Sequence, residues 1–238
     1  MRSENIAYKD GDVELLGYLA FDENLGGQRP GVLVMPGGFG LGDNAKERCD
    51  MLARMGYVAL AGDPYGGGIE IDDLKEVMRR VTELRADTQQ FRRRGRAALE
   101  KVLALPQVDP KRVAAIGYCL GGTFVLELAR DGAPLAGVVT FHGGLETKQP
   151  ATAGAVKAKL LILTGADDPT VPPAHINAFT NEMTKAGADW QIVIYSGTRH
   201  AFTYPDAATC QIDWIEYNRS SDTRSWNAMK DFFAEIFR

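Results

Sequence analysis

Cysteine and histidine are both scarce in this sequence. Its 238 residues contain three of each, and the cysteines Cys49, Cys119 and Cys210 form no CxxC pair. An odd, widely spaced set of cysteines excludes a disulfide framework, and without a CxxC pair a structural zinc site is not expected. We therefore expect a reducing, cytoplasmic location, in which a reactive thiol stays available.

Excess basic charge and long apolar runs are also missing. The formal net charge is −4, whereas a nucleic-acid-binding surface is usually basic. No apolar stretch reaches the roughly 20 residues that span a bilayer, and the polar N-terminal segment lacks the apolar centre of a signal peptide. We expect a small-molecule partner, with no nucleic acid and no membrane. Monomer and homodimer both remain open.

Strand-like and helix-like patterns alternate along the chain. Asp10-Gly11 separates two β-rich runs, as the turn of a hairpin does. The central β-rich runs are continuously apolar, which is typical of parallel strands covered on both faces. Helical patterns cover 44–56, 70–105 with a break before Asp87, 120–130, 173–186 and 221–237. The sequence therefore predicts one α/β domain over 1–238, with a mostly parallel central sheet flanked by helices on both faces.

A cysteine lies between two glycines where one buried strand is expected to end. The pattern Gly117-x-Cys119-x-Gly121 matches a nucleophile elbow with cysteine in place of serine. A helix that begins just after the cysteine favours the thiolate, and the N–H of Leu120 then points towards a developing oxyanion. The alternative is a small buried cysteine beside a tight glycine turn.

Candidate partners for this cysteine follow later strands. Asp167 and Asp168 come after the penultimate strand, and His200 follows the last one. A cysteine, an acid and a histidine in this order match the nucleophile, acid and base of a known strand–helix hydrolase arrangement. One of the two aspartates is expected only to form the turn before Pro169.

Other polar residues near the predicted strand ends receive more ordinary roles. The N–H of Gly38 or Phe39 is a candidate second oxyanion donor, although these glycine-rich residues also suit a simple turn. His142 either lines a pocket or forms structural hydrogen bonds, and the structural role is favoured. Further residues are interpreted as exposed or as turn-forming: His175 at a helix start, Arg92-Arg93-Arg94 on a solvated helix face, and Asp63 in a turn.

Three motifs, GYCLGG, GADDPTVP and RHAF, together resemble the dienelactone hydrolase family of α/β-hydrolases. The resemblance extends from about residue 5 to 237 and implies the α/β-hydrolase fold. It implies that Cys119 is the nucleophile, His200 the base and Asp168, not Asp167, the acid. The expected activity is hydrolysis of carboxylic esters or lactones through an acyl-enzyme, with no metal and no cofactor.

The sequence departs from the family pattern at two substrate-site positions. Gly37 stands where the founding enzymes carry a glutamate that restrains the thiol, and Tyr204 stands where they carry a substrate-binding arginine. Arg79, Arg80 and Arg85 are candidates for a second substrate arginine. The expected pocket residues are Phe39, Tyr118, His142, Tyr204 and Trp214.

The departures keep two other functions open. One is an esterase or thioesterase for neutral substrates, which the missing arginine favours. The other is a non-catalytic thiol redox or binding protein on the same scaffold. The irregular segment 204–218 is expected by default to be a packed surface loop, with a loop over the site mouth as the alternative.

Overall fold

An eight-stranded sheet forms the centre of the protein. The structure is a computed structural model that describes residues 1–238. Across the sheet the strands follow the order β1-β2-β4-β3-β5-β6-β7-β8, with bounds Arg2–Asp10 (β1), Val13–Phe21 (β2), Arg29–Met35 (β3), Val58–Ala61 (β4), Val108–Tyr118 (β5), Gly137–Phe141 (β6), Lys159–Gly165 (β7) and Trp190–Tyr195 (β8). β1 and β2 pair antiparallel, β2 pairs antiparallel with β4, and the remaining pairs are parallel. The predicted mostly parallel sheet is confirmed.

Helices cover both faces of this sheet. Their bounds are Asp43–Arg54 (α1), Leu74–Ala86 (α2), Thr88–Leu103 (α3), Leu120–Arg130 (α4), Pro173–Ala186 (α5) and Arg219–Ile236 (α6). Alternating side chains of one strand face opposite layers: Val34 belongs to the apolar core that includes residues of α1 and α6, whereas Leu33 belongs to the core that includes residues of α3, α4 and α5. None of the six helices combines the length and the apolarity needed to cross a bilayer.

Local sequence signals account for several element boundaries. Gly11 turns the β1–β2 hairpin with a φ of 58°, a conformation that costs glycine little. The Asp87 side chain accepts hydrogen bonds from the N–H groups of Gln89 and Gln90, and so caps α3 where the sequence predicts a break. The Asn218 side chain accepts a hydrogen bond from the N–H of Ser221 and so caps α6. The helix begins at Arg219, two residues before the predicted start at Ser221.

The prediction that Arg92-Arg93-Arg94 forms a solvated face is wrong for two of the three residues. The Nε of Arg94, which is buried, lies 3.0 Å from an Asp10 carboxylate oxygen. The Nε of Arg92 lies 2.9 Å from Glu127. α3 is packed against both β1 and α4, so the helix has two covered sides, and ion pairs allow the arginines to lie there.

The parallel strands direct several loops to one edge of the sheet. β3, β5, β6 and β7 are hydrogen-bonded neighbours, so their carboxyl ends lie side by side. The residues that follow these strands and β8 include the predicted nucleophile, acid and base. An α/β sheet binds ligands at this edge.

Candidate active site

Cys119 lies in a sharp turn between β5 and α4. Its backbone has a φ of 50° and a ψ of −113°, a strained conformation for a residue other than glycine. A Cβ on Gly117 would overlap the backbone of Gly121, and a Cβ on Gly121 would overlap the backbone of Met35. Glycine is therefore required on both sides of the cysteine because strand and helix meet there without space for side chains.

The structure brings Cys119, His200 and Asp168 into one line of contacts. The Nε2 of His200 lies 3.1 Å from the Sγ of Cys119, and its Nδ1 lies 2.7 Å from Oδ2 of Asp168. His200 and Asp168 are buried, and Cys119 is partly exposed. An imidazole held between a thiol and a carboxylate is the arrangement that nucleophilic catalysis requires.

Asp168, rather than Asp167, is the aspartate that contacts the histidine. Its other oxygen, Oδ1, accepts hydrogen bonds from the N–H of Thr170 at 2.8 Å and from the Thr170 hydroxyl at 2.7 Å. The neighbouring Asp167 is exposed. The Thr170 hydroxyl also lies 3.1 Å from Nδ1 of His200. Sequence reasoning missed Thr170, although an Asp-x-Thr turn is a recognisable signal for such a contact.

The charges of this trio favour an ion pair in the resting protein. Burial raises the pKa of the Cys119 thiol, but the charge and hydrogen bond of His200 and the N–H groups of Leu120 and Gly38 outweigh it, so that this pKa lies below its ordinary value. Burial opposes the charged imidazole, but Cys119 and Asp168 raise the pKa of His200 to about 10. Both shifts therefore favour the thiolate–imidazolium form of the pair over its neutral form.

The backbone N–H groups of Leu120 and Gly38 lie near the Cys119 sulfur and lower the pKa of its thiol. Gly38 is thus the residue of the early loop that reaches the sulfur. The Tyr65 hydroxyl donates to the Gly38 carbonyl at 2.6 Å, and the Phe39 carbonyl accepts from the N–H of Ile71 at 2.9 Å. These contacts fix the position of the loop beside the sulfur.

A cavity of about 410 Å³ opens over Cys119. All five residues expected in a pocket line it: Phe39, Tyr118, His142, Tyr204 and Trp214. Tyr204 stacks on Phe39 at 5.8 Å between ring centroids, and Trp214 meets the edge of His200 at 5.6 Å. The Tyr118 ring instead stacks on Phe141 at 4.7 Å and is buried.

His142 has both of the roles that the sequence left open. It lines the cavity, and its Nε2 lies 2.8 Å from the Thr203 hydroxyl. Its ring contacts that of His200 at 5.1 Å between centroids. Burial, together with the charges of His200 and Arg48, holds its pKa well below the ordinary value, so it remains neutral beside the imidazolium.

The default expectation for the segment 204–218 is wrong, because this segment forms a wall of the cavity. Pro205, Cys210, Ile212 and Ile215 line the cavity together with Tyr204 and Trp214. The backbone holds the segment against the site: the N–H of His200 donates to the carbonyl of Trp214 at 3.1 Å.

The three arginines considered for substrate binding do not line this cavity. Arg79 and Arg80 both pair with Glu76 at 2.6 Å. Arg85 lines a separate polar cavity of about 280 Å³. α2 instead turns an apolar stripe to the site, formed by Leu74, Val77, Met78 and Val81. Sequence reasoning missed this stripe, although its i, i+3, i+4, i+7 spacing is visible.

The remaining predicted residues take structural places. Asp63 accepts hydrogen bonds from the N–H groups of Leu16, Tyr65, Gly66 and Gly68, at 2.7 to 3.1 Å, and so forms the expected turn after β4. His175, at the start of α5, is partly exposed and lies 3.3 Å from Glu146.

Comparison with known proteins decides the family. The sequence pattern of the dienelactone hydrolase family matches residues 15–237. The chain belongs to the dienelactone hydrolase family. The curated relatives include a protein of Aquifex aeolicus (strain VF5) named "Putative carboxymethylenebutenolidase", 29% identical over 202 residues that cover 83% of this chain and 85% of that protein.

Solved structures of similar proteins support the same assignment. The protein called m3DLH is 42% identical, with a TM-score of 0.96 and coverage of 99% of this chain and 98% of the other. A dienelactone hydrolase-like promiscuous phosphotriesterase from metagenomic libraries is 40% identical, again with a TM-score of 0.96 and the same coverage. This member of the dienelactone hydrolase family is a hydrolase with the α/β-hydrolase fold.

The glutamate position of the family is open in this member. A Cβ on Gly37 would lie 3.7 Å from the Cβ of Cys119, an ordinary contact distance. The backbone at this position therefore leaves space for the Cβ of a larger residue. Glycine is not required there by a close contact.

Proposed function

We propose that this protein hydrolyses carboxylic esters or lactones, with Cys119 as nucleophile, His200 as acid and base, and Asp168 as the group that orients the imidazole. The observation that carries the proposal is the pair of contacts on one imidazole, 3.1 Å to the Cys119 sulfur and 2.7 Å to the Asp168 carboxylate. A thiol that only packs in a core needs neither contact.

The reaction begins from the thiolate. The Cys119 sulfur attacks the carbonyl carbon, and the electron pair of the C=O bond moves to oxygen. The N–H groups of Leu120 and Gly38 stabilise this oxyanion, an effect worth roughly 3–4 kcal/mol per donor. When the tetrahedral intermediate collapses, the C–O bond of the ester breaks and His200 protonates the departing alkoxide. In a lactone, the alcohol stays attached to the acyl group.

A thioester between Cys119 and the acyl group remains after the first step. His200, now neutral, takes a proton from water, and the resulting hydroxide attacks the thioester. Collapse of the second intermediate breaks the C–S bond, releases the carboxylic acid and restores the ion pair. Asp168 stabilises the imidazolium in both steps and holds Nε2 towards the sulfur.

Neutral phosphotriesters are a second candidate substrate class. The observation that favours them is the 40% identity with a protein described as a promiscuous phosphotriesterase. In this reaction the thiolate attacks phosphorus and an aryl oxide leaves. The same oxyanion donors then face the phosphoryl oxygen. Acyl thioesters, which also react through a thioester acyl-enzyme, belong to the carboxylic class.

The test is hydrolysis of p-nitrophenyl butyrate by the wild type and by Cys119→Ala and His200→Ala. Loss of either residue is expected to lower kcat by about 10⁴-fold, because the catalytic groups act as a unit. His175→Gln is the matched histidine control and should retain activity. Intact-mass measurement after rapid acid quench should show one butyryl group on the wild type and none on Cys119→Ala.

Equal hydrolysis rates in all four proteins would instead support a non-catalytic thiol protein. We further propose that the enzyme works in the cytoplasm, as monomer or homodimer. Three free cysteines suit a reducing compartment.

A further inference from the structure

Apart from the contact pair Cys119 and His200, the charged side chains that line the catalytic cavity are all acidic. Asp43, Glu47, Glu70 and Asp206 line it, and no lysine or arginine does. Asp43 is paired with Lys46 at 3.7 Å, but the other three carboxylates form no ion pair. Glu47, Glu70 and Asp206, called here the mouth carboxylates, are exposed.

The negative field of these groups extends to the aromatic residues of the cavity. Burial raises the pKa of the Tyr204 phenol, and the charges of Asp206, Glu70 and Asp72 raise it further. Tyr204 stacks on Phe39, one residue after the oxyanion donor Gly38. A substrate that reaches Cys119 therefore passes within range of these carboxylates.

The inner walls of the same cavity are hydrocarbon. On one side α2 presents the stripe Leu74, Val77, Met78 and Val81, and on the other the segment 204–218 presents Ile212, Trp214 and Ile215. Met78 is 50% exposed, and contact with an apolar substrate would remove it from water. The acyl chain or alcohol group therefore meets an apolar surface.

Two arginines near this site are already paired with acidic residues. Arg48 is buried behind Tyr118 and is paired with Asp222 at 2.9 Å. Arg80 is paired with Glu76 at 2.6 Å and lies over the Tyr65 ring. Neither arginine lines the cavity, so neither is placed to pair with a carboxylate on the substrate.

We propose that the mouth carboxylates make the catalytic cavity a charge filter, which admits esters with uncharged or cationic hydrocarbon groups and rejects esters that carry a carboxylate. The inference rests on the proposed function and names its substrate class. The apolar walls select hydrocarbon, and the unpaired carboxylates decide between the two signs of charge. An apolar cavity alone would reject both signs equally.

The experiment compares three p-nitrophenyl esters of matched length. The neutral ester is p-nitrophenyl methyl adipate, the anionic one is p-nitrophenyl hydrogen adipate, and the cationic one is p-nitrophenyl 5-(trimethylammonio)pentanoate. After correction for uncatalysed hydrolysis, kcat/KM for the neutral ester should exceed that for the anionic ester by at least about tenfold at low salt, since three like charges act together. The cationic ester should react at least as well as the neutral one. In about 0.5 M salt the neutral-to-anionic ratio should fall by half or more.

A triple variant, Glu47→Gln/Glu70→Gln/Asp206→Asn, removes the mouth carboxylates. The neutral-to-anionic ratio should fall at least about threefold, and because it is a ratio within one protein, a general loss of activity cancels. The matched control is Glu23→Gln/Glu100→Gln/Asp231→Asn, which changes the net charge equally at exposed residues outside the cavity and should keep the wild-type ratio.

The outcomes separate the two proposals. Turnover of the neutral ester with an equal rate for the anionic ester overturns the charge filter and leaves the proposed function intact. Equally poor turnover of both charged esters, or an unchanged ratio in the triple variant, also overturns the filter and assigns the selectivity to the apolar walls. No turnover of any ester refutes the proposed function, and the filter with it.

Discussion

Alkylation of Cys119 by iodoacetamide should report the ion pair with His200 directly. The reagent is neutral and reacts with the thiolate, so the rate follows ionisation of the sulfur. In the wild type the midpoint of the rate-against-pH curve should lie below the value of about 8.5 for an ordinary cysteine. In His200→Ala it should lie above that value, because burial of the sulfur remains while the imidazolium is lost.

The size of the difference follows from the contact at 3.1 Å between Nε2 and Sγ. A hydrogen bond to a charged group contributes about 1.5–3 kcal/mol. Since one pKa unit corresponds to about 1.36 kcal/mol, the two midpoints should be separated by about one to two pH units. The rate for an ordinary thiol rises roughly 70-fold between pH 6 and 8, and the wild-type rise over this interval should be clearly smaller.

The assay is peptide-resolved mass spectrometry after timed exposure between pH 5 and 9, without substrate. Cys119 and Asp168 raise the pKa of His200 to about 10, above the pH range used, which favours the charged imidazole in the wild-type series. Cys210 is a comparison within the same molecule, because burial raises its pKa, no imidazole contacts it, and the charge of Cys119 reaches it only as a lesser effect. The midpoint of its alkylation curve should shift much less than that of Cys119 between the wild type and His200→Ala.

Two results would refute this reasoning. A midpoint for Cys119 that is the same in the wild type and in His200→Ala would show that the contact does not stabilise the thiolate. A wild-type cysteine that stays inert until a substrate is present would show that the thiol is restrained at rest despite Gly37.

Three other substitutions test single features of the site. Gly37→Glu should slow resting alkylation of Cys119 at pH 7 by about tenfold, because a carboxylate next to the sulfur disfavours the thiolate, whereas Gly37→Gln should change it less than about threefold. Thr170→Val should lower kcat about three- to tenfold with KM unchanged, as expected for the loss of a hydrogen bond worth about 1 kcal/mol that positions Asp168. Thr170→Ser should restore kcat, and an unchanged kcat in Thr170→Val would contradict this role. Gly121→Ala should reduce the free energy of unfolding in urea by about 3 kcal/mol or more through backbone overlap, while the open position Gly26→Ala should be nearly neutral.

Much of the site could be predicted because its chemistry depends on local sequence. The turn at Cys119 could be predicted because only glycine fits on either side of it. Cys119, Asp168 and His200 were expected to lie close together because each follows a parallel strand, and these strands end at one edge of the sheet. The choice of Asp168 over Asp167 came from family resemblance, and the contact with His200 agrees with it. What could not be predicted was which helix face would lie over the cavity.

The arginines show why this part failed. A run such as Arg92-Arg93-Arg94 has the same letters whether its helix faces solvent or a neighbouring helix, and only packing against β1 and α4 gave Arg92 and Arg94 their acidic partners. Likewise, the stripe on α2 indicates an apolar surface without showing whether that surface meets the sheet or a substrate.

The sequence by itself determined the fold class, the elbow at Cys119 and the residues able to act as nucleophile, acid and base, since each depends on periodicity or on local backbone sterics. Only the tertiary structure decided the sign of charge around the cavity, the N–H of Gly38 as the second group at the sulfur, and the wall made by 204–218. These properties depend on side chains far apart in the chain, and their contacts are set by how the layers pack.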